Sequence, residues 1–145
     1  MNENMELMMH LYKASEMGVY STTCLINNLK NRDNKIKLVL ENEIKEYEYF
    51  LKKSEKYLRK NKVEPEGTGM MTKMSSSMGI KMETLKDNSD AAIAAMLIEG
   101  FTMGEIELHS KVDSYKKNCE SKYLKLCKEF VKFQKNEIEK LKAFI

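Results

Sequence analysis

Position 43 holds a carboxylate where a helical pattern calls for an aliphatic side chain. Advanced at about 100° per residue, Ile36, Leu40, Tyr47, Leu51 and Leu58 share one helix face, and Glu43 falls between Leu40 and Tyr47. An acid in an apolar stripe must be neutralised, hydrogen-bonded or bound to a cation. It belongs either to a polar layer inside a helical bundle or to a metal site. A second interruption lies near the end of the sequence. There Gln134 stands at the centre of a stripe made by Tyr123, Cys127, Phe130, Val131, Ile138, Leu141 and Ile145, with Glu137 at its edge.

Other residue sets carry less chemistry. Glu105 and His109, one helical turn apart, have the spacing of a mononuclear metal clip, although a boundary histidine is ordinarily a surface group. His10 lies beside an apolar stripe without a partner. Met71, Met74, Met78 and Met82 recur at helical spacing, and thioethers suit Cu(I). The same ladder equally describes adaptable packing of a connection against a bundle, or an exposed interaction surface. Cys24, Cys119 and Cys127 form no Cys-x-x-Cys pair. Neither histidine has a convincing nucleophile beside it, so no catalytic residues are assigned. No Gly-rich phosphate loop is present.

Four long helices have to position these residues. The first, from about Glu3 to Lys30, places Met8, Leu11, Tyr12, Ser15, Gly18, Val19, Thr22, Ile26 and Leu29 on a wide stripe. Asn31 to Asn34 reads as a turn, with Asp33 or Asn34 capping the next helix. So short a connection predicts an antiparallel hairpin. The second helix spans Asp33 to Lys62, and Pro65, Gly67 and Gly69 forbid its continuation. Residues 66 to 88 are too many for a hairpin loop and read as a crossover containing a short amphipathic helix, interrupted near Gly79, with Ile80 and Leu85 beside the methionines. Asp87 to Asp90 starts a third helix reaching about Lys116, with Ile93, Leu97, Phe101, Gly104, Leu108, Val112 and Tyr115 inward. Gly100 and Gly104 make a smooth patch for close approach of another helix, or of a ligand. Asn118 is expected to take the left-handed conformation at the last break. A fourth helix follows from about 120 to 145. At 1.5 Å per residue each helix would be roughly 40 Å long.

Hairpin, long crossover, hairpin with inward carboxylates resembles the ferritin-like superfamily, which includes ferritins, bacterioferritins and rubrerythrins. The resemblance covers almost the whole sequence and implies a single domain over residues 1–145, an antiparallel four-helix bundle. In metal-binding members the second and fourth helices each carry Glu-x-x-His, and the first and third each give a Glu. Here those positions read Glu43-Ile-Lys-Glu46 and Gln134-Lys-Asn-Glu137. Neither has histidine, and one leading Glu is Gln. Counting from the turns, Glu43 should lie level with Thr22 and Thr23, and Gln134 with Met103, Gly104 and Glu105. The resemblance implies a di-metal set of Glu43, Glu46, Glu105 and Glu137, with iron or manganese as the ions that suit oxygen ligands. The competing reading is a buried polar layer of Thr22, Glu43, Tyr47 and Gln134, which fixes register at some expense of stability.

Composition narrows the class further. Hydrophobic content of 42% beside 32% charge is that of a folded domain rather than a disordered chain, and 145 residues can bury one sizeable core. The 25 basic residues are interleaved with 22 acidic ones, so the lysines of the second and fourth helices read as a solvated face rather than a nucleic-acid or lipid surface. An odd number of cysteines and the lack of a basic, then apolar, N-terminal segment predict reduced thiols and a cytoplasmic protein. The most apolar run, Ala91 to Ile98, is too short to span a bilayer. The expected function is therefore that of a non-catalytic, self-associating ferritin-like protein in a binding, structural or stress-associated role, with a degenerate metal site. The alternatives are a di-iron or di-manganese carboxylate protein for storage or oxygen chemistry, and Cu(I) binding by the methionine ladder.

Overall fold

The computed structural model describes residues 1–69, 72–75, 79–81 and 86–145. Among them the regular structure is entirely helical: α1 (Glu3–Asn28), α2 (Lys37–Lys60), α3 (Asp90–Tyr115) and α4 (Ser121–Lys142), with a 3₁₀ turn at Lys116–Asn118. Residues 72–75 and 79–81 are also helical. Met71, Met78, Met82 and Leu85 of the expected connecting helix lie outside the described residues. Among the described residues no helix is long and apolar enough to cross a membrane.

The helix ends follow local chemistry, with some departures from expectation. Asn2 caps α1 by accepting from the Met5 amide at 2.9 Å, and Ser89 caps α3 by accepting from Ala92 at 3.2 Å. α2 has no side-chain cap and starts at Lys37 rather than Asp33. Asn34 is instead drawn across to the start of α3, where it donates to Asn88 O at 2.9 Å and Asp90 Oδ1 at 2.8 Å. The left-handed residues are Asn31 and Lys62, not Asn118, which sits in the 3₁₀ turn. At Lys62 the amides of Lys62 and Val63 return to the carbonyls of Arg59 and Leu58, at 3.0 and 2.9 Å. This paired closure ends α2 before Pro65 is reached.

Long-range hydrogen bonds order the helix ends. At one end Asn4, in the first turn of α1, exchanges two bonds with Glu120, the residue before α4. Asn61, just past α2, donates to the Tyr123 hydroxyl in α4. At the other end the start of α2 meets the start of α3 through Asn34, Lys35 and Asp90. Between them the segment after α2 follows α1. The Glu66 amide points at Met9 Sδ, the Thr68 amide and the Lys73 ammonium meet Glu16, and Arg32 meets Asn88.

α1 packs extensively on α2, and α3 on α4, while contacts between the pairs are sparser. Both pairs share one apolar core, in which Leu7, Met8, Leu11, Leu25, Ile36, Leu40, Leu58, Ile93, Phe101, Leu108, Phe130 and Leu141 are buried. The middle of that core is aromatic. Phe133 lies 5.0 Å from Tyr47, 5.6 Å from Phe50, 5.8 Å from Phe101 and 5.7 Å from Phe130, ring centre to ring centre. Phe50 and Phe133 were not on the expected stripes, whereas Leu51 and Val131, which were, are half-buried. Ile145 is exposed, because α4 ends at Lys142.

Candidate functional site

Glu43 is fully buried (0% exposed) and Glu137 almost so (1%). They approach from α2 and α4 just beyond the aromatic cluster. Lys140, one turn after Glu137, sets its ammonium 2.9 Å from Glu137 Oε2. No donor in the described residues reaches either oxygen of Glu43, Oε1 of Glu137 or Oε1 of Gln134. The two carboxyl groups do lie within hydrogen-bonding reach of each other. That bond exists only when one of them carries a proton.

Electrostatics assigns the proton. Burial pushes the Glu43 carboxyl far above its ordinary range, to about 9; the charge of Glu137 and a shared hydrogen bond add to this, and Lys140 opposes it. At neutral pH Glu43 is therefore a neutral acid. Lys140 is raised above its usual range, first by its bond to Glu137 and against the cost of burial, with the charges of Glu137 and Glu46 contributing. Tyr47 is raised as well, by burial and then by the two carboxylates, so it stays a neutral phenol.

Thr22, Glu43, Tyr47 and Gln134 line one cleft, but among the described residues no hydrogen bond joins Glu43 to the other three. Thr22 and Gln134 are buried and Tyr47 is partly so. Close approach depends on two glycines. A Cβ on Gly18 of α1 would run into the Tyr47 ring, and one on Gly104 of α3 would sit 2.9 Å from Gln134 Nε2. At Gly100 the space is open. The opening belongs to a cleft of ≈ 250 Å³ between α1 and α3, into which Gly18, Thr22, Glu43, Tyr47, Gly100 and Gln134 face. Toward the other end of the molecule the same seam widens to ≈ 660 Å³ beside His10, Glu107 and Lys111. There burial, helped by Lys111, holds His10 below its usual pKa.

The di-metal set is only half assembled. Glu43 and Glu137 meet; Glu46 is exposed at the rim near Lys140, and Glu105 is half-buried at the edge of α3, where it pairs with Lys135 of α4 at 3.6 Å. His109 is exposed and pairs with Asp113 at 3.7 Å rather than with Glu105. Among the described residues no three or more His, Cys, Asp or Glu side chains are grouped to hold a metal ion. Met74, the described member of the methionine ladder, is exposed. Burial pushes the Cys127 thiol up to about 12, which makes it a packing residue rather than a nucleophile.

Lys140 is the member of this site that sequence reasoning missed. The signal was available: a lysine three residues after Glu137 reaches the same helix face. No family model, curated protein or solved structure matches this chain. What the site does must be read from its own geometry.

Proposed function

We propose that this protein is a ferritin-like four-helix bundle, with the connection between α2 and α3 as its crossover, in which a buried carboxyl–carboxylate pair stands in place of a di-metal centre. In this reading it is a non-catalytic, cytoplasmic binding protein that self-associates. The observation that carries it is the meeting of Glu43 and Glu137 without Glu46, Glu105 or His109. Two carboxyl groups sharing one proton, with Lys140 on the outer oxygen, neutralise themselves and need no ion. The order of the helix ends supports the topology, since α2 and α3 start side by side and only a connection running the length of the helices can join them. Three free cysteines suit a reducing compartment.

The experiment is metal analysis of protein purified without chelator, followed by Fe(II) and Mn(II) titration of wild type and Glu43→Leu. A metal-free protein that takes up neither ion, and whose Glu43→Leu variant is at least as stable as wild type, supports this reading. Stoichiometric uptake lost on Glu43→Leu supports the second one, an iron or manganese carboxylate protein. The second reading draws on the four acceptor atoms without donors, at Glu43, Gln134 and Glu137.

A further inference from the structure

The cleft between α1 and α3 ends on acceptors. Glu43 Oε1 and Oε2 and Gln134 Oε1 are buried and belong to side chains that line it, and apart from the proton Glu43 shares with Glu137 no donor among the described residues reaches them. Among the described residues no lysine or arginine lines this cleft. Lys140 serves Glu137 and does not enter it. Apart from the hydroxyls of Ser21 and Thr22, the remaining walls are mainly thioether, aliphatic and aromatic, including Met17, Met96, Leu97 and the stacked rings of Tyr47 and Phe101. A volume of ≈ 250 Å³ equals the liquid share of about eight waters at roughly 30 Å³ each. That is room for a charged head and a short carbon chain.

A ligand for such a place must bring donors and positive charge at one end and apolar surface at the other. A primary ammonium has three N–H donors and no acceptor, and once Glu43 has released its proton its two oxygens and Gln134 Oε1 are all acceptors. Its bonds to a carboxylate are charge-assisted, and the ring faces of Tyr47 and Phe101 favour a cation. A hard divalent ion fits less well, because it needs about six oxygen ligands and these walls supply mostly carbon. We propose that this cleft binds a small primary alkylammonium ion, its head at Glu43 and Gln134 and its chain along Met17, Met96 and Phe101. This rests on the metal-free reading of the acid pair given above.

Binding has a proton signature. The charged and titratable groups around Glu43 are Tyr47 and Glu46 on its own helix and Glu137 and Lys140 on α4; α1 presents Ser21 and Thr22, and α3 presents Gly100 and Gly104. Of these, Glu43 holds a proton when the cleft is empty and must release it to meet an ammonium. Affinity therefore rises as pH increases from 6 to 8.

The test is calorimetric titration of the full chain with n-butylammonium chloride, in phosphate and in MOPS, with tetramethylammonium chloride and MnCl₂ as separate titrants. The expected result is saturable one-to-one binding of butylammonium, with buffer-dependent heat from the released proton and no response to tetramethylammonium, which has no N–H. Glu43→Gln should weaken binding at least tenfold. Gly100→Leu, which fills open space and leaves the acids untouched, should do the same while the fold is retained. Absence of saturable butylammonium binding overturns the proposal, as does equal binding of tetramethylammonium or binding indifferent to both substitutions. Glu43-dependent uptake of Mn(II) instead overturns the metal-free reading itself, whereas a protein that binds neither loses only the ammonium inference.

Discussion

At Glu43, burial and the nearness of Glu137 act in the same direction, and both keep a proton on the side chain. The folded-state pKa of about 9 stands above the unfolded value near 4.5. A group raised in this way contributes its full stability below the unfolded pKa and loses it as pH climbs through the folded one. The apo protein should thus be most stable near pH 5 and weaken toward pH 9, with a slope of at most about 1.4 kcal/mol per pH unit from this group. Urea unfolding at pH 5, 7 and 9 measures the slope, and Glu43→Gln should flatten it, since an amide does not titrate. A slope of the opposite sign means that Glu43 is ionised in the native protein and balanced by a cation. Replacing the acid altogether is a separate matter. Glu137 keeps its bond to Lys140, so Glu43→Leu removes a buried acid and its solvation cost while adding apolar contact. Its effect should lie between neutral and about 2 kcal/mol of stabilisation, read from the same unfolding curves.

Among the helices, the glycines separate packing from propensity. In a helix interior, Gly to Ala ordinarily gains about 0.5–1 kcal/mol. Gly100→Ala should realise that gain, because nothing among the described residues stands within 4 Å of the added carbon. Gly18→Ala should instead cost about 1–3 kcal/mol, because Tyr47 has to leave the stacked and edge-on contacts it makes with Phe101 and Phe133. Thermal unfolding of the two variants decides between them. If both gain equally, α1 and α2 are not in the close register drawn here. Much of this scale was legible in the chain. The 3.6-residue period located all four helices, and turn counting set Glu43 against Thr22 and Gln134 against Gly104. Phe50 and Phe133 were missed for a definite reason: helix faces in this core are wider than a single stripe, and an aromatic one position off centre still reaches inward. The start of α2 was missed because Asn34 spends its side chain on a neighbour, a choice that local propensity does not record.

For the whole molecule, the unresolved question in the chain was which carboxylates meet, because this depends on the rotation of each helix about its axis. Glu43 and Glu137 turn inward, Glu105 stays at the helix edge and Glu46 turns out, although all four occupy positions that the ferritin-like pattern points at the centre. The same rotations leave two large apolar side chains on the otherwise polar outer side of α3. Met103 is 66% exposed and Ile106 65%, one turn apart, on a helix whose opposite side buries Phe101 and Leu108. Large exposed apolar side chains mark an interaction surface, and among the described residues these two stay exposed. The self-association proposed above therefore belongs on this face, a second copy laying its own α3 across the first. Sedimentation velocity at tens of micromolar should show a dimer. Met103→Gln with Ile106→Gln should shift it to monomer with little change in helical content, since neither side chain contributes to the shared core. A wild type that sediments as a monomer removes the dimer. A double variant that remains dimeric moves the interface to another face, with the exposed Leu38 and Tyr49 of α2 next in order of apolar surface.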